Sequence, residues 1–343
     1  LSRERDRSHP TDAFGLPEGL LAAIICALLL IVVFAVVSAA TPMPPAEYWG
    51  ALTTFALLTL GVTLPGCAAL FDALGRTVRP DWRALAALAA LVPALYAAYA
   101  LAVRELTPAG LGTAVAFAAV PALAFGAARG SRTPTVLDFV ALGYLILSLW
   151  FGLVPRLGLP QQGPLVNFFQ LAVVPLLLLL LAWRGWPGLG YTWHLSLREL
   201  RDALLAGAVG AAALAAAGLA TGALRLPSAS PTAGGVVVEA LKAYFFVALP
   251  FELLLRGGVQ SGLERALRGR MGDTAPWVAL AGATALGVAL AIAQARGLQA
   301  NALSWLAIGL AAGWTYKRTG KVTASAVAAF LIVWLATVLG GVA

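Results

Sequence analysis

Two ionisable residues stand where this chain is otherwise apolar. Glu252 and Arg256 lie inside the run AYFFVALPFELLLRGGVQ, Ala243 to Gln260. On a helix their i, i+4 spacing places a carboxylate and a guanidinium on one face, with Glu on the N-terminal side, the favourable order for an ion pair. At membrane depth each such side chain costs about 2.5–3.5 kcal/mol on insertion scales, so it points first to a functional site. Three roles suit the pair: a structural brace, a general base, or an ion-coupling site. A base must reach water or substrate at ~2.6–3.2 Å, and an oxyanion needs preorganised donors. Gln294 is polar within a second apolar run; it can hydrogen-bond across helices but cannot act as a base at neutral pH. The only histidines, His9 and His194, lie outside the apolar runs. Cys26 and Cys67 read as small packing residues, so no zinc ligand set and no cofactor is implied.

The elements that must position these residues follow from composition. The chain has 343 residues, 61% hydrophobic and 11% charged, with mean hydropathy +0.88. A soluble domain is about a quarter charged, so this is a polytopic membrane protein. Eleven apolar runs are each long enough to cross a ~30 Å core. They fall near 19–40, 48–71, 84–103, 108–128, 134–155, 164–183, 201–222, 236–256, 276–295, 301–317 and 322–342. The expected fold is all-α, a transmembrane helical bundle of about eleven spans.

The net charge of +8 does not signal a nucleic acid. Basic residues fall in alternate loops: Arg3, Arg5 and Arg7; Arg76, Arg79 and Arg83; Arg129 and Arg132; Arg184, Arg198 and Arg201; Arg265, Arg268 and Arg270; Lys317, Arg318 and Lys321. The opposite loops carry only Arg104, Arg156, Arg225, Lys242 and Arg296. This positive-inside pattern predicts a cytoplasmic N-terminus and an outside C-terminus, in a bacterial cytoplasmic (inner) membrane. The first span is too long for a signal-peptide core and reads as an uncleaved anchor.

Polar punctuation from Trp183 to Asp202 divides the chain into a six-span block, 1–184, and a five-span block, 185–343. The loop Leu224 to Gly235 reads as a flexible connection. Asp138 is expected at the start of its helix, where a carboxylate offsets the helix dipole. Pro250 removes a backbone donor just before Glu252 and is expected to disturb that helix.

From its Glu onward, FELLLRGGVQSGLERAL resembles the EExxxRG-xxQxxL pattern of the CPBP family, which includes CAAX prenyl endopeptidases and bacteriocin-processing (Abi) membrane proteases. IGLAAGWTYKRTGKV, Ile308 to Val322, is similar to that family's glycine-rich helix ending in a TG turn. The resemblance covers roughly Gly188 to Leu339 and implies a CPBP-like C-terminal core. It also implies an active site of Glu, His from two further helices, and an oxyanion-binding Asn. Those positions here carry Phe251 for the first Glu, Gln294 and Ala329 for the two His, and Val333 for the Asn. With two histidines in all, no shift of register supplies the imidazoles. Glu252, Arg256 and Gln294 therefore read as vestigial motif positions. The reading is a catalytically inactive homologue, acting as a membrane binding or scaffold protein. Its implied partners are the lipid bilayer and another membrane protein or a prenylated or otherwise lipid-modified peptide. Two alternatives stay open: an active endopeptidase using Glu252 in altered geometry, and a transporter.

Overall fold

The computed structural model describes residues 16–79, 81–131, 133–163, 165–186, 189–220, 233–294 and 298–340. Arg3, Arg5, Arg7, His9, Arg132, Arg225 and Arg296, and most of the loop from Leu224 to Gly235, lie outside them.

Each of the eleven apolar runs contributes a helix. In the first block these are α1 (Leu20–Ala39), α2 (Pro45–Thr63), a short α3 (Ala68–Val78), α4 (Trp82–Ala102), α5 (Pro108–Ala127), α6 (Val136–Trp150) and α7 (Phe168–Arg184). The second block holds α8 (Leu197–Ala220), a continuous helix α9 over residues 233–271, α10 (Ala275–Gln294), α11 (Leu298–Thr319) and α12 (Val322–Gly340). Among the described residues six helical segments are long and apolar enough to cross a membrane; one of them, Gly234–Ala293, takes in most of α9 and α10. The protein is an integral membrane protein of helical architecture. Among the described residues its one strand pairing is a two-residue antiparallel ladder, β1 (Gly158–Leu159) with β2 (Val166–Asn167), in the α6–α7 connection.

Two boundaries differ from the sequence expectation. The second run breaks at Leu64–Gly66, a 3₁₀ turn. Pro65 lacks the N–H that an α-helix needs there, and Cys67 leaves the turn in extended conformation, so α3 starts as a separate element. The eighth run continues to Met271 instead of ending near 256, because the charges of SGLERALRGR suit an exposed helical face as well as a loop.

α7 is apolar on all sides and is buried along nearly its whole length. Such a helix belongs in an interior, not at a lipid boundary. It packs against α2, α3, α4, α5, α6 and the motif helix α9. One apolar cluster extends from Leu30 through α7 to Ala326, so the two blocks share a core.

Contacts tie the basic loops into two groups, as expected of loops that share one face. Arg79 Nε donates to the Ala182 carbonyl at 3.1 Å, Arg129 to the Arg79 carbonyl at 3.0 Å, and Trp183 Nε1 to the Asp81 carbonyl at 3.1 Å. Arg184 meets both carboxylate oxygens of Asp138, at 2.9 and 3.2 Å. Asp138 also closes a capping box with Thr135, which accounts for its place at the start of α6. Arg318 binds Asp202 and Lys321 binds Glu199, each at 2.8 Å. On the opposite face Tyr99 donates to the Gly158 carbonyl and the Gln162 N–H to Glu47, each at 2.8 Å.

Candidate functional site

The motif helix α9 is not wound uniformly. Ala243–Ala248 and Leu253–Gln260 form π-helical turns on either side of the α-helical Leu249–Glu252. Pro250 has no N–H for the carbonyl four residues earlier, and widening the register redistributes the bonds that remain. The wider turn also rotates the face that each following residue presents.

Glu252 and Arg256 are both fully buried. Arg256 Nε donates to Glu252 Oε2 at 3.1 Å, forming the ion pair that the spacing predicted. The other guanidinium nitrogens find partners in a third residue and a second helix. One terminal nitrogen donates to Gln260 Oε1 at 3.2 Å, the other to the Gly309 carbonyl of α11 at 3.1 Å. Gln260 in turn donates to the Gly313 carbonyl at 3.3 Å. Glu252, Arg256 and Gln260 thus form a ladder along α9, against two successive turns of α11. Each glycine carbonyl has a second lone pair free for this contact.

Glycine is needed at both acceptors. A methyl group on Gly309 would overlap the Thr284 side chain, and one on Gly313 would sit 3.0 Å from Leu280 and 3.3 Å from the Arg256 guanidinium. The small-xxx-small spacing therefore makes room for a buried cation as well as for close helix packing. Glu252 Oε1 has no hydrogen-bond donor among the described residues. Ser325 of α12 stands beside the same carboxylate, but its hydroxyl is turned to the Val322 carbonyl at 2.9 Å.

The neighbouring residue faces elsewhere. Phe251 meets Trp150 of α6 and Trp305 of α11 edge to face, with ring centroids 5.1 and 5.3 Å away, and the two tryptophans are 4.6 Å apart. Trp150 is fixed by its Nε1–H donating to the Leu290 carbonyl of α10 at 2.8 Å. These rings wall a chamber of about 280 Å³, completed by Leu149, Gln170, Phe246, Val247, Pro250, Leu254 and Ala291. None of its lining side chains can take up a proton at neutral pH. Leu149, Trp150 and Gln170 also line an adjoining vestibule of about 770 Å³, with Arg156, Gln161 and Asn167. The vestibule lies by the β1–β2 connection, on the face opposite the basic loops.

The expected site residues are thus distributed. Glu252 and Arg256 are in direct contact and outside the chamber lining; Phe251 is in it. Gln294 ends α10, one turn beyond Leu290, and its side chain lies outside the described residues. Ala329 packs in a separate apolar cluster with Ala248, Ile308 and Ile332, and Val333 packs against that cluster. Gln260 completes the ladder, and its signal was its position four residues after Arg256. Trp150 and Trp305 carry no sequence signal that places them together. Among the described residues no three His, Cys, Asp or Glu side chains gather to hold a metal.

The family model for Rce1-like, type II CAAX prenyl endopeptidase Rce1-like, matches residues 233–335. This is the segment from the start of α9 into α12, and the match agrees with the resemblance carried by the Glu252–Arg256 motif. No curated protein and no solved structure matches the chain.

Proposed function

We propose that this Rce1-like membrane protein binds an apolar, lipid-modified peptide segment in the Trp150–Phe251–Trp305 chamber and does not hydrolyse it. The observation that carries this reading is the divergence of two adjacent residues. Phe251 stands at the chamber wall, where the family resemblance implies a carboxylate. Glu252, the carboxylate that remains, is buried against Arg256 and is not part of the wall. A hydrolytic site needs a base within reach of water and substrate, and donors aimed at the oxyanion. The chamber instead offers four aromatic side chains, Trp150, Phe246, Phe251 and Trp305, and one amide, Gln170, which suits recognition of an apolar group with a polar end.

In this reading the face with the basic loops is cytoplasmic, in a bacterial inner membrane, and the alternation of basic loops along the chain supports it. The vestibule with Arg156 then opens to the outside, so the bound segment is presented from there. The bilayer and a lipid-modified peptide or neighbouring membrane protein are the partners of this reading.

The test uses the full chain in nanodiscs with a farnesylated peptide and the same peptide unmodified. Trp150 and Trp305 line the chamber, so binding of the farnesylated form should change tryptophan emission, and Trp305→Phe should reduce that change. Mass spectrometry should find the peptide intact. Cleavage that Glu252→Gln abolishes while the fold is unchanged would overturn the proposal in favour of a displaced-glutamate protease.

A further inference from the structure

A separate cavity lies on the surface of the second block, between α8 and α11. Asp202, Leu205, Val209 and Ala213 of α8 and Leu310 and Trp314 of α11 border a groove of about 460 Å³ whose walls are almost wholly apolar. Its lining recurs on α8 at helical spacing from Asp202 to Ala213, so it follows one helix face. The eleven steps from Asp202 to Ala213, at 1.5 Å each, give a length of about 16 Å. That is roughly half of a ~30 Å hydrocarbon core, the depth of one leaflet.

One end of the groove is charged. Asp202 is buried, and its two oxygens hold two arginines: Arg201 at 3.3 Å on Oδ1 and Arg318 at 2.8 Å on Oδ2. The arginine side chains remain 65% and 45% exposed, so each guanidinium keeps a solvent- or headgroup-facing side. Arg318 also lies over the Trp314 ring at 5.2 Å, and Trp at such a position marks the interfacial depth of a membrane. The pair therefore sits where lipid phosphates sit, at the mouth of an apolar channel one leaflet deep, on the face that carries the basic loops.

We propose that this groove is a binding site for an anionic glycerophospholipid. One acyl chain lies between α8 and α11, and the phosphate bridges Arg201 and Arg318. The Asp202 carboxylate holds the two guanidinium groups close together, which suits a singly bridging phosphate better than a zwitterionic headgroup, whose ammonium would meet the same two cations. The site is independent of the aromatic chamber and of the peptide-binding reading.

The experiment reconstitutes the full chain in nanodiscs of equal parts phosphatidylglycerol and phosphatidylcholine, then releases it for native mass spectrometry. A one-to-one adduct of phosphatidylglycerol should persist in preference to phosphatidylcholine. Arg201→Gln with Arg318→Gln should reduce its retention by about tenfold or more. Removing both arginines leaves Asp202 without partners, so a second variant keeps the charges. Ala206→Leu with Ala213→Leu fills the groove and should lower retention comparably while the melting temperature stays near that of the parent. Inorganic phosphate in excess should not displace the lipid. Equal retention of the two lipids, retention that survives groove filling, or displacement by phosphate would each overturn the proposal. So would a second copy of the chain held in place of a lipid.

Discussion

At the scale of single residues, adjacent positions on α9 have been given to different tasks. Phe251 belongs to the chamber; Glu252 belongs to a buried ladder with Arg256 and Gln260. Breaking a buried ion pair from one side strands the other charge and costs about 3–5 kcal/mol. Glu252→Ala and Arg256→Ala should each lower stability by that order, and the double variant should lose clearly less than the two losses added. Unfolding of the four proteins in one detergent measures the coupling, and strict additivity would rule out direct contact. Arg256→Lys should also destabilise, because a single ammonium cannot reproduce a planar fork that meets Glu252, Gln260 and Gly309 at once.

At the scale of elements, the approach of α11 to α9 and α10 depends on two glycines. Gly309→Ala drives a methyl group into Thr284, and overpacking of this kind costs about 1–3 kcal/mol. The Thr284 hydroxyl is buried without a hydrogen-bond partner among the described residues, so Thr284→Ala alone should be nearly neutral or stabilising. Combined with Gly309→Ala it should recover much of the lost stability, read as melting temperature. Failure of that rescue would mean that the Gly309 carbonyl contact with Arg256, and not the methyl overlap, sets the loss. The π-helical turns belong to the same scale, since the widened register helps decide which face carries Phe251 and which carries Glu252.

At the scale of the whole molecule, the described part of the 185–196 connection acts as a strap between the two blocks. Trp193 Nε1 donates to the Thr63 carbonyl and Tyr191 Oη to the Val62 carbonyl, each at 2.6 Å, both on α2. The Thr192 carbonyl accepts from the Thr323 hydroxyl at 2.6 Å and the Gly190 carbonyl from the Val322 N–H at 2.8 Å, both on α12. Gly190 sits at φ +72°, and a methyl group there would overlap the Gly320 carbonyl. Gly190→Ala should therefore loosen the strap, at an expected loss of about 1–3 kcal/mol. Limited proteolysis should show faster cutting in the 185–196 connection, with a lower melting temperature. Unchanged cutting and melting would show that the shared apolar core alone joins the blocks.

The sequence by itself determined the helical architecture, a helix in each of the eleven apolar runs, the alternation of basic loops along the chain and the absence of motif imidazoles. Each of these is a local property: a run of apolar residues long enough to span lipid, a loop composition, or a residue that is simply not present. It also determined the Glu252–Arg256 pair, because i, i+4 contact is fixed by helix geometry. Only the tertiary structure decided that Arg256 would also meet the Gly309 carbonyl and Gln260 the Gly313 carbonyl, since both glycines lie on another helix. It alone brought Trp150, Phe251 and Trp305 together from three helices, and tied Trp150 to a carbonyl 140 residues away. These contacts depend on how each helix is rotated about its axis. Apolar runs that are hydrophobic on every side, such as α7, leave that rotation unspecified until the packing sets it.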